Sequence, residues 1–340
     1  MADAPADSDA LARQLAEAGA DILPRLEELL PRGLDDYLSA AVWHHLDTGG
    51  KRIRPALCLL ACRHFGGEPA RATWFAVAVE LLHNMFLVHD DVEDGDTMRR
   101  DRETVWVRFG TPNAINVGDY LLAAAYRAVL RSPVDAATTV RLLDEFTETY
   151  ATTCRGQALD INMRARPDLS IEDYLRMVSL KTGRYLALGM VGGAIIAGSG
   201  DVLIERLRAL AASMGAAFQI RDDLIDLTAG KGRGGVVGCD IREGKPSILY
   251  AHALGAAGAD DRRALVEIMG RPREEVTDDD VRRARDVYDR CGSVAFAAAE
   301  ADRLVGEALR TIDEIPPAAA DGAARDFLRG VTAYMVSRTK

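Results

Sequence analysis

Apolar residues recur along the chain at spacings of three and four, while the alternation that marks half-buried strands is almost absent. The pattern predicts an all-α protein. Two stretches carry it furthest. "ELLHNMFLVHDDVED", ending at Asp94, and "LRALAASMGAAFQIRDDLID", ending at Asp226, are apolar helical runs that each finish in an Asp-Asp-x-x-Asp pattern. Helix breakers fall at helix-length intervals: Pro31, Gly49-Gly50, Gly66-Gly67, Pro112, Pro133, Pro167, Gly198 to Gly200, Gly230 to Gly235, Pro272, Gly292 and Pro316-Pro317. Ser170 and Thr277 sit where N-caps belong, and Asp201 opens the helix that carries the second acidic cluster. The expectation is roughly a dozen helices. With no long Ser/Gly/Pro-rich linker, they should form one helical domain spanning 1–340.

Composition narrows the partners. A chain of 340 residues, 48% hydrophobic, can bury a large core, and a net charge of -10 without a basic stripe argues against a nucleic-acid surface. Cys58, Cys62, Cys154, Cys239 and Cys291 form no CxxC pair, which predicts reduced thiols in a cytoplasmic setting. The acidic start "MADAPADSDALARQ" does not read as a secretory signal. No membrane span is expected, because the nearest candidate, "AVAVELLHNMFLV", is interrupted by Glu80, His83 and Asn84.

The acidic clusters carry the chemistry. Residues four apart share a helix face, so Asp90 projects with Asp94, and Asp222 with Asp226. Carboxylates ~4 Å apart repel by ~1 kcal/mol in water and ~4 kcal/mol near a protein surface, so something positive should meet them. A single such cluster is commonly a solvated helix end. Two copies, each ending a helix too apolar for the surface, instead predict the mouth of one buried space. Hard oxygen ligands without Cys suit Mg²⁺ held jointly with a substrate diphosphate. His83 and His89 lack the HExxH spacing of a zinc site.

Fixed cations accompany the clusters. "GGKRIRP" presents Lys51 and Arg54 after a Gly-Gly turn, near a helix N-terminus where anions are favoured. "DTMRRDR" places Arg99 and Arg100 close behind the first cluster, "KTGRY" supplies Lys181, and "REGKPS" supplies Lys245. The loop "GKGRGGVVGCDIREGKPS" is not a nucleotide-binding P-loop: five residues separate Gly238 from Gly244-Lys245, and Pro246 stands where Ser or Thr would hold Mg²⁺.

In this order, "GGKRIRP", "ELLHNMFLVHDDVEDGDTMRR", "GQALDI", "KTGRY" and "FQIRDDLIDL…GCDIREGKP" resemble the trans-prenyltransferases, the polyprenyl (isoprenyl diphosphate) synthase family, of short-chain type. The resemblance runs from about Gly49 to Pro246. It implies a single large helical bundle around a deep central cavity. It implies Mg²⁺, three ions with substrate bound, held by Asp90, Asp94 and Asp222, with Asp226 acting through water. Lys51, Arg54, His83 and Arg100 match the isopentenyl diphosphate site. Arg99, Lys181, Thr182, Gln219 and Lys245 match the contacts to the allylic diphosphate. Tyr185 and Phe218 would line the reaction centre, and Gln157 and Asp160 would position neighbouring side chains.

The implied reaction is chain elongation. The allylic C–O bond ionises, the double bond of isopentenyl diphosphate attacks the cation, and proton loss leaves a chain one isoprene unit longer. Met85 and Phe86, just before the first cluster, match the positions that limit product length. They imply a geranylgeranyl product over the farnesyl alternative, Met being flexible. Two positions depart from the family pattern: Val236 replaces a lysine, for which Lys231 or Arg233 could substitute, and Asp101 replaces a glycine. A class I terpene cyclase would not use Lys51 and Arg54, and a non-catalytic regulatory subunit would have lost motif aspartates. The family further implies a homodimer.

Overall fold

The structure, a computed structural model, describes residues 6–33, 36–228 and 236–336. In chain order the helices begin with α1 (Ala6–Ala20), α2 (Ile22–Leu29), α3 (Tyr37–Leu46), α4 (Ile53–His64) and α5 (Pro69–Glu93). A two-residue strand pair, β1 (Met98–Arg99) and β2 (Arg102–Glu103), precedes α6 (Val105–Phe109), α7 (Thr111–Leu130) and α8 (Ala136–Asn162). Next come α9 (Ile171–Val178), a π-helical turn at Ser179–Gly183, α10 (Arg184–Ile196) and α11 (Asp201–Asp226). The remainder is α12 (Cys239–Arg242), α13 (Ile248–Ala256), α14 (Ala259–Met269), α15 (Asp278–Arg290), α16 (Ser293–Asp313) and α17 (Gly322–Val336). The all-α expectation holds. The helices outnumber the expected dozen because short ones such as α2, α6 and α12, of 8, 5 and 4 residues, carry too little periodicity to announce themselves.

The chain forms two compact units. The first comprises the described residues up to Glu148 with Leu188–Glu205 and Pro316–Phe327. Its centre is α5, which packs against α4 and α7. Phe75, Val77, Val79, Leu81, Leu82, Met85 and Val88 are all buried and share one broad apolar side of α5, while Glu80, His83, Asn84, Asp90, Asp91 and Asp94 share the other. By length and hydropathy α5 could cross a membrane, but 72% of its most apolar window is buried inside the protein, as befits a core helix.

The second unit comprises Thr149–Ala187, Arg206–Ile315 and the described residues from Leu328. Its core gathers Tyr174 and Met177 of α9, Ile220 of α11, Ile248 and Tyr250 of α13, Leu265 of α14 and Tyr288 of α15. Ser170 and Thr277 cap α9 and α15 as expected. Each accepts from the backbone N–H three residues on, where Asp173 or Asp280 bonds back to the cap.

Candidate active site

In the first unit, the last turn of α5 is intact through Asp94, whose N–H donates to the Asp90 carbonyl at 2.8 Å. Both carboxylates therefore sit at the negative end of the helix dipole, which compounds their repulsion and favours a cation there. Helical spacing puts His83 and Phe86 on the face of Asp90 and Asp94, whereas Met85 falls about 140° away around the helix. Met85, 1% exposed, belongs to the core packing.

Asp91, between them in sequence, does different work. It is 1% exposed and pairs with Arg99, whose Nε and Nη2 lie 2.8 and 2.6 Å from the same oxygen, Oδ1. Its Oδ2 is buried without a hydrogen-bond partner. Burial pushes this carboxyl above its usual range, with Asp96 and Asp94 adding to the shift and Arg99 opposing it.

Arg99 is held by the strand pair, in which Met98 faces Glu103 and Arg99 faces Arg102. The connecting residues, Arg100 and Asp101, have φ of +50° and +63°, as a two-residue type I′ turn requires. Asp tolerates that region better than most residues, which is why Asp101 can stand where the family pattern has glycine.

The basic groups of this unit converge. Arg52 takes a left-handed conformation, φ +45°, and α4 starts at Ile53, so Lys51 precedes the helix and Arg54 lies in its first turn. Arg54 Nη1 is 3.5 Å from His83 Nε2. A side chain at Gly50 would meet Arg100 Nη1 at 2.8 Å, so the glycine makes room for that guanidinium. Burial, then Arg54 and Arg100, hold the His83 imidazole well below its usual range and hence neutral.

Sequence reasoning missed the buried polar layer beside these groups. Asn84 Nδ2 donates to the Glu80 carbonyl at 2.8 Å and to Glu80 Oε1 at 3.1 Å. Burial raises the Glu80 carboxyl against the opposing pull of Asn84, Arg52, Arg54 and Arg100. His45, 2% exposed, is pushed down to about 3 by burial together with Arg99 and Arg100. The available signal was spacing: Glu80 lies three residues before His83 and four before Asn84. His89 Nε2 lies 3.3 Å from the Ile115 carbonyl.

In the second unit, a small cleft is lined by the expected Lys181, Thr182, Gln219 and Lys245, and also by Asp160, Asp223 and Asp240. Lys181 and Thr182 lie within the π-helical turn. That turn fits because Gly156 of α8 has no side chain: a Cβ there would sit 2.3 Å from the Lys181 backbone nitrogen. Lys181 Nζ pairs with Asp160 Oδ2 at 2.5 Å, which puts Asp160, with buried Gln157 a turn away, in the positioning place. Lys245 Nζ lies 3.1 Å from Glu243 Oε2. Tyr185 is buried and Phe218 half-buried.

The three aspartates ending α11 differ sharply. Asp222 is half-buried at the helix end. Asp223, 4% exposed, accepts from Tyr174 Oη at 2.8 Å, Gln219 Nε2 at 3.2 Å and the Ile248 N–H at 3.1 Å. Burial and the nearby Asp240 push its carboxyl well up, while those three donors oppose the shift. Asp226 spends both oxygens on the first turn of α12, accepting the Cys239 and Asp240 N–H groups at 3.1 Å each. Asp226 thus anchors the first turn of α12. Val236 is 48% exposed, and Lys231 and Arg233 lie outside the described residues.

Among the described residues, no three His, Cys, Asp or Glu side chains gather closely enough to enclose a metal ion. The carboxylates of Asp90 and Asp94 in the first unit, and that of Asp222 in the second, are hard oxygen donors of the kind Mg²⁺ takes.

All-α architecture, acidic helix ends and nearby cation groups define a protein built to handle diphosphates. The chain matches the polyprenyl synthetase family over residues 35–288 and belongs to it. It is 34% identical over 308 residues to a short chain isoprenyl diphosphate synthase of Methanothermobacter thermautotrophicus, covering 89% of this chain and 93% of that protein. It is 33% identical over 306 residues to a geranylgeranyl diphosphate synthase of Saccharolobus solfataricus, covering 89% and 91%. The crystal structure of geranylgeranyl pyrophosphate synthetase from Pyrococcus horikoshii superposes with a TM-score of 0.88 at 33% identity, covering 97% of this chain and 99% of that one. The protein is a trans-prenyltransferase that elongates prenyl chains.

Proposed function

We propose that this chain condenses isopentenyl diphosphate with an allylic diphosphate in the presence of Mg²⁺, three ions with substrate in place, and releases geranylgeranyl diphosphate. The observation that carries the reading is that two apolar helices, α5 and α11, each end in an intact acidic triplet with basic residues of the same unit nearby. Asp90, Asp94 and Asp222 would hold the metal, which when bound neutralises charge on the leaving diphosphate. Asp226 would act through water, and it anchors the first turn of α12. Lys181, Thr182, Gln219 and Lys245 bind the allylic diphosphate and stabilise it as the C–O bond breaks. Arg99 reaches the same group while braced on Asp91.

Lys51, Arg54, His83 and Arg100 hold isopentenyl diphosphate, with His83 neutral as a hydrogen-bonding partner. Its double bond attacks the allylic cation, and the departing diphosphate takes the proton. Tyr185 and Phe218 line the reaction centre and keep water from the cation. Phe86, one turn below Asp90, forms the floor that limits product length, and Met85 supports it from the core.

The active form is a homodimer in the cytoplasm, each chain acting as a single domain over 1–340; five cysteines with no CxxC spacing favour that compartment. Incubating purified protein with Mg²⁺, isopentenyl diphosphate and, separately, dimethylallyl, geranyl or farnesyl diphosphate tests the reading. A 20-carbon diphosphate is expected. A cyclic hydrocarbon would favour a cyclase, a 15-carbon end product would move the floor, and no product from any primer would remove the assignment.

A further inference from the structure

The second acidic triplet presents its middle member, Asp223, as a junction. Its carboxylate ties three helices together: Tyr174 of α9 and the N–H of Ile248, the first residue of α13, both donate to Oδ2, while Gln219, one turn earlier on α11, donates to Oδ1. Tyr174 is 1% exposed and Asp223 4%, which shields the Tyr174 and Ile248 bonds from water, while the Gln219 bond lies at the half-buried wall of the cleft. Two groups lining the cleft depend on this junction. Gln219 has its amide orientation set by Oδ1. Lys245 lies three residues before the pinned Ile248, in a segment whose other end is fixed by the Lys245 N–H to Asp240 carbonyl bond at 2.9 Å. Three of the roughly four acceptor positions of the carboxylate are thereby occupied by protein.

We propose that Asp223 is a positioning residue for the allylic diphosphate: it orients Gln219 and the Lys245 segment and binds no metal ion. This rests on the functional reading above, in which Gln219 and Lys245 meet that substrate. Asp223→Asn replaces one acceptor oxygen by an amide donor that faces either the Ile248 N–H or Gln219. Tyr174→Phe is milder, because it removes one donor and leaves the carboxylate and its other two bonds in place.

The test measures KM for each substrate, the half-saturating Mg²⁺ concentration and the thermal midpoint for both variants. Hydrogen bonds to a charged group are worth enough that KM for the allylic diphosphate should rise about tenfold in Tyr174→Phe and further in Asp223→Asn. KM for isopentenyl diphosphate and the Mg²⁺ requirement should stay within about twofold of the parent. A half-saturating Mg²⁺ concentration that rises in Asp223→Asn would make Asp223 a metal ligand. Equal rises in both KM values, or a lowered midpoint with unchanged KM, would reduce it to general structural support; each result overturns the proposal. Calorimetric titration of inorganic diphosphate in Mg²⁺ supplies the same comparison without turnover. A parent that binds diphosphate but does not elongate would fail the functional reading, while weaker binding by the variants alone would still uphold the junction.

Discussion

Arg99→Leu removes the guanidinium that faces a carboxylate only 1% exposed, at 2.6 and 2.8 Å. Breaking a buried pair from one side costs about 3–5 kcal/mol, since the remaining charge has neither partner nor water. The other oxygen of Asp91 already lacks a partner, so it offers no compensation. The thermal midpoint should fall by on the order of 5–10 °C. The double variant Asp91→Asn/Arg99→Leu deletes both charges and should recover more than half of that loss, giving a coupling energy of about 2 kcal/mol or more. Scanning calorimetry of parent, both single variants and the double variant closes the cycle. A single Arg99→Leu variant within about 1 kcal/mol of the parent, or a double variant no more stable than Arg99→Leu, would refute the pairing argument. Once stability is restored, any remaining rise in the allylic KM of the double variant reads the reach of Arg99 to diphosphate.

Phe86→Ala should lengthen the product by at least one isoprene unit, because the next residue on that face is Leu82, four residues and ~6 Å lower on α5; unchanged chain length by mass spectrometry would clear Phe86 of that role. His45 gives a pH signature. Its folded pKa of about 3 lies below the ordinary 6.5, so only the unfolded chain takes up this proton as pH falls below about 6.5. Stability should then drop by up to ~1.4 kcal/mol per pH unit, or ~2 kcal/mol between pH 6.5 and 5. His45→Gln should lose that part of the slope, and identical slopes would contradict the buried neutral histidine. Gly156→Ala would place a Cβ 2.3 Å from the Lys181 nitrogen and should displace the π-helical turn. Its turnover should fall by more than tenfold; kcat near the parent value would show that the turn tolerates the shift.

Features set by local spacing could be read from the chain itself. The caps at Ser170 and Thr277, the acidic ends of α5 and α11, and the helix start within "GGKRIRP" all follow from neighbours within four residues. Longer-range facts stayed hidden. The π-helical turn exists because Gly156 admits the backbone of Lys181, 25 residues later, and periodicity cannot announce such a fit. The three aspartates of "DDLID" look alike in sequence, yet Asp223 meets Tyr174, 49 residues away, and Asp226 meets the backbone of Cys239 and Asp240. Arg99 is similar: its charge suggested a substrate contact, and only the strand pair shows it braced on Asp91. The substitution at Asp101 became intelligible once its positive φ was known.

The most direct measurement follows isotopically labelled isopentenyl diphosphate with farnesyl diphosphate and Mg²⁺, comparing the parent with Asp90→Asn and Asp222→Asn, which change the two acidic helix ends separately. The account predicts labelled geranylgeranyl diphosphate from the parent and a loss of rate of at least a hundredfold in each variant, about 2.7 kcal/mol or more of transition-state stabilisation. A parent that incorporates no label, or variants that elongate as fast as the parent, would contradict it.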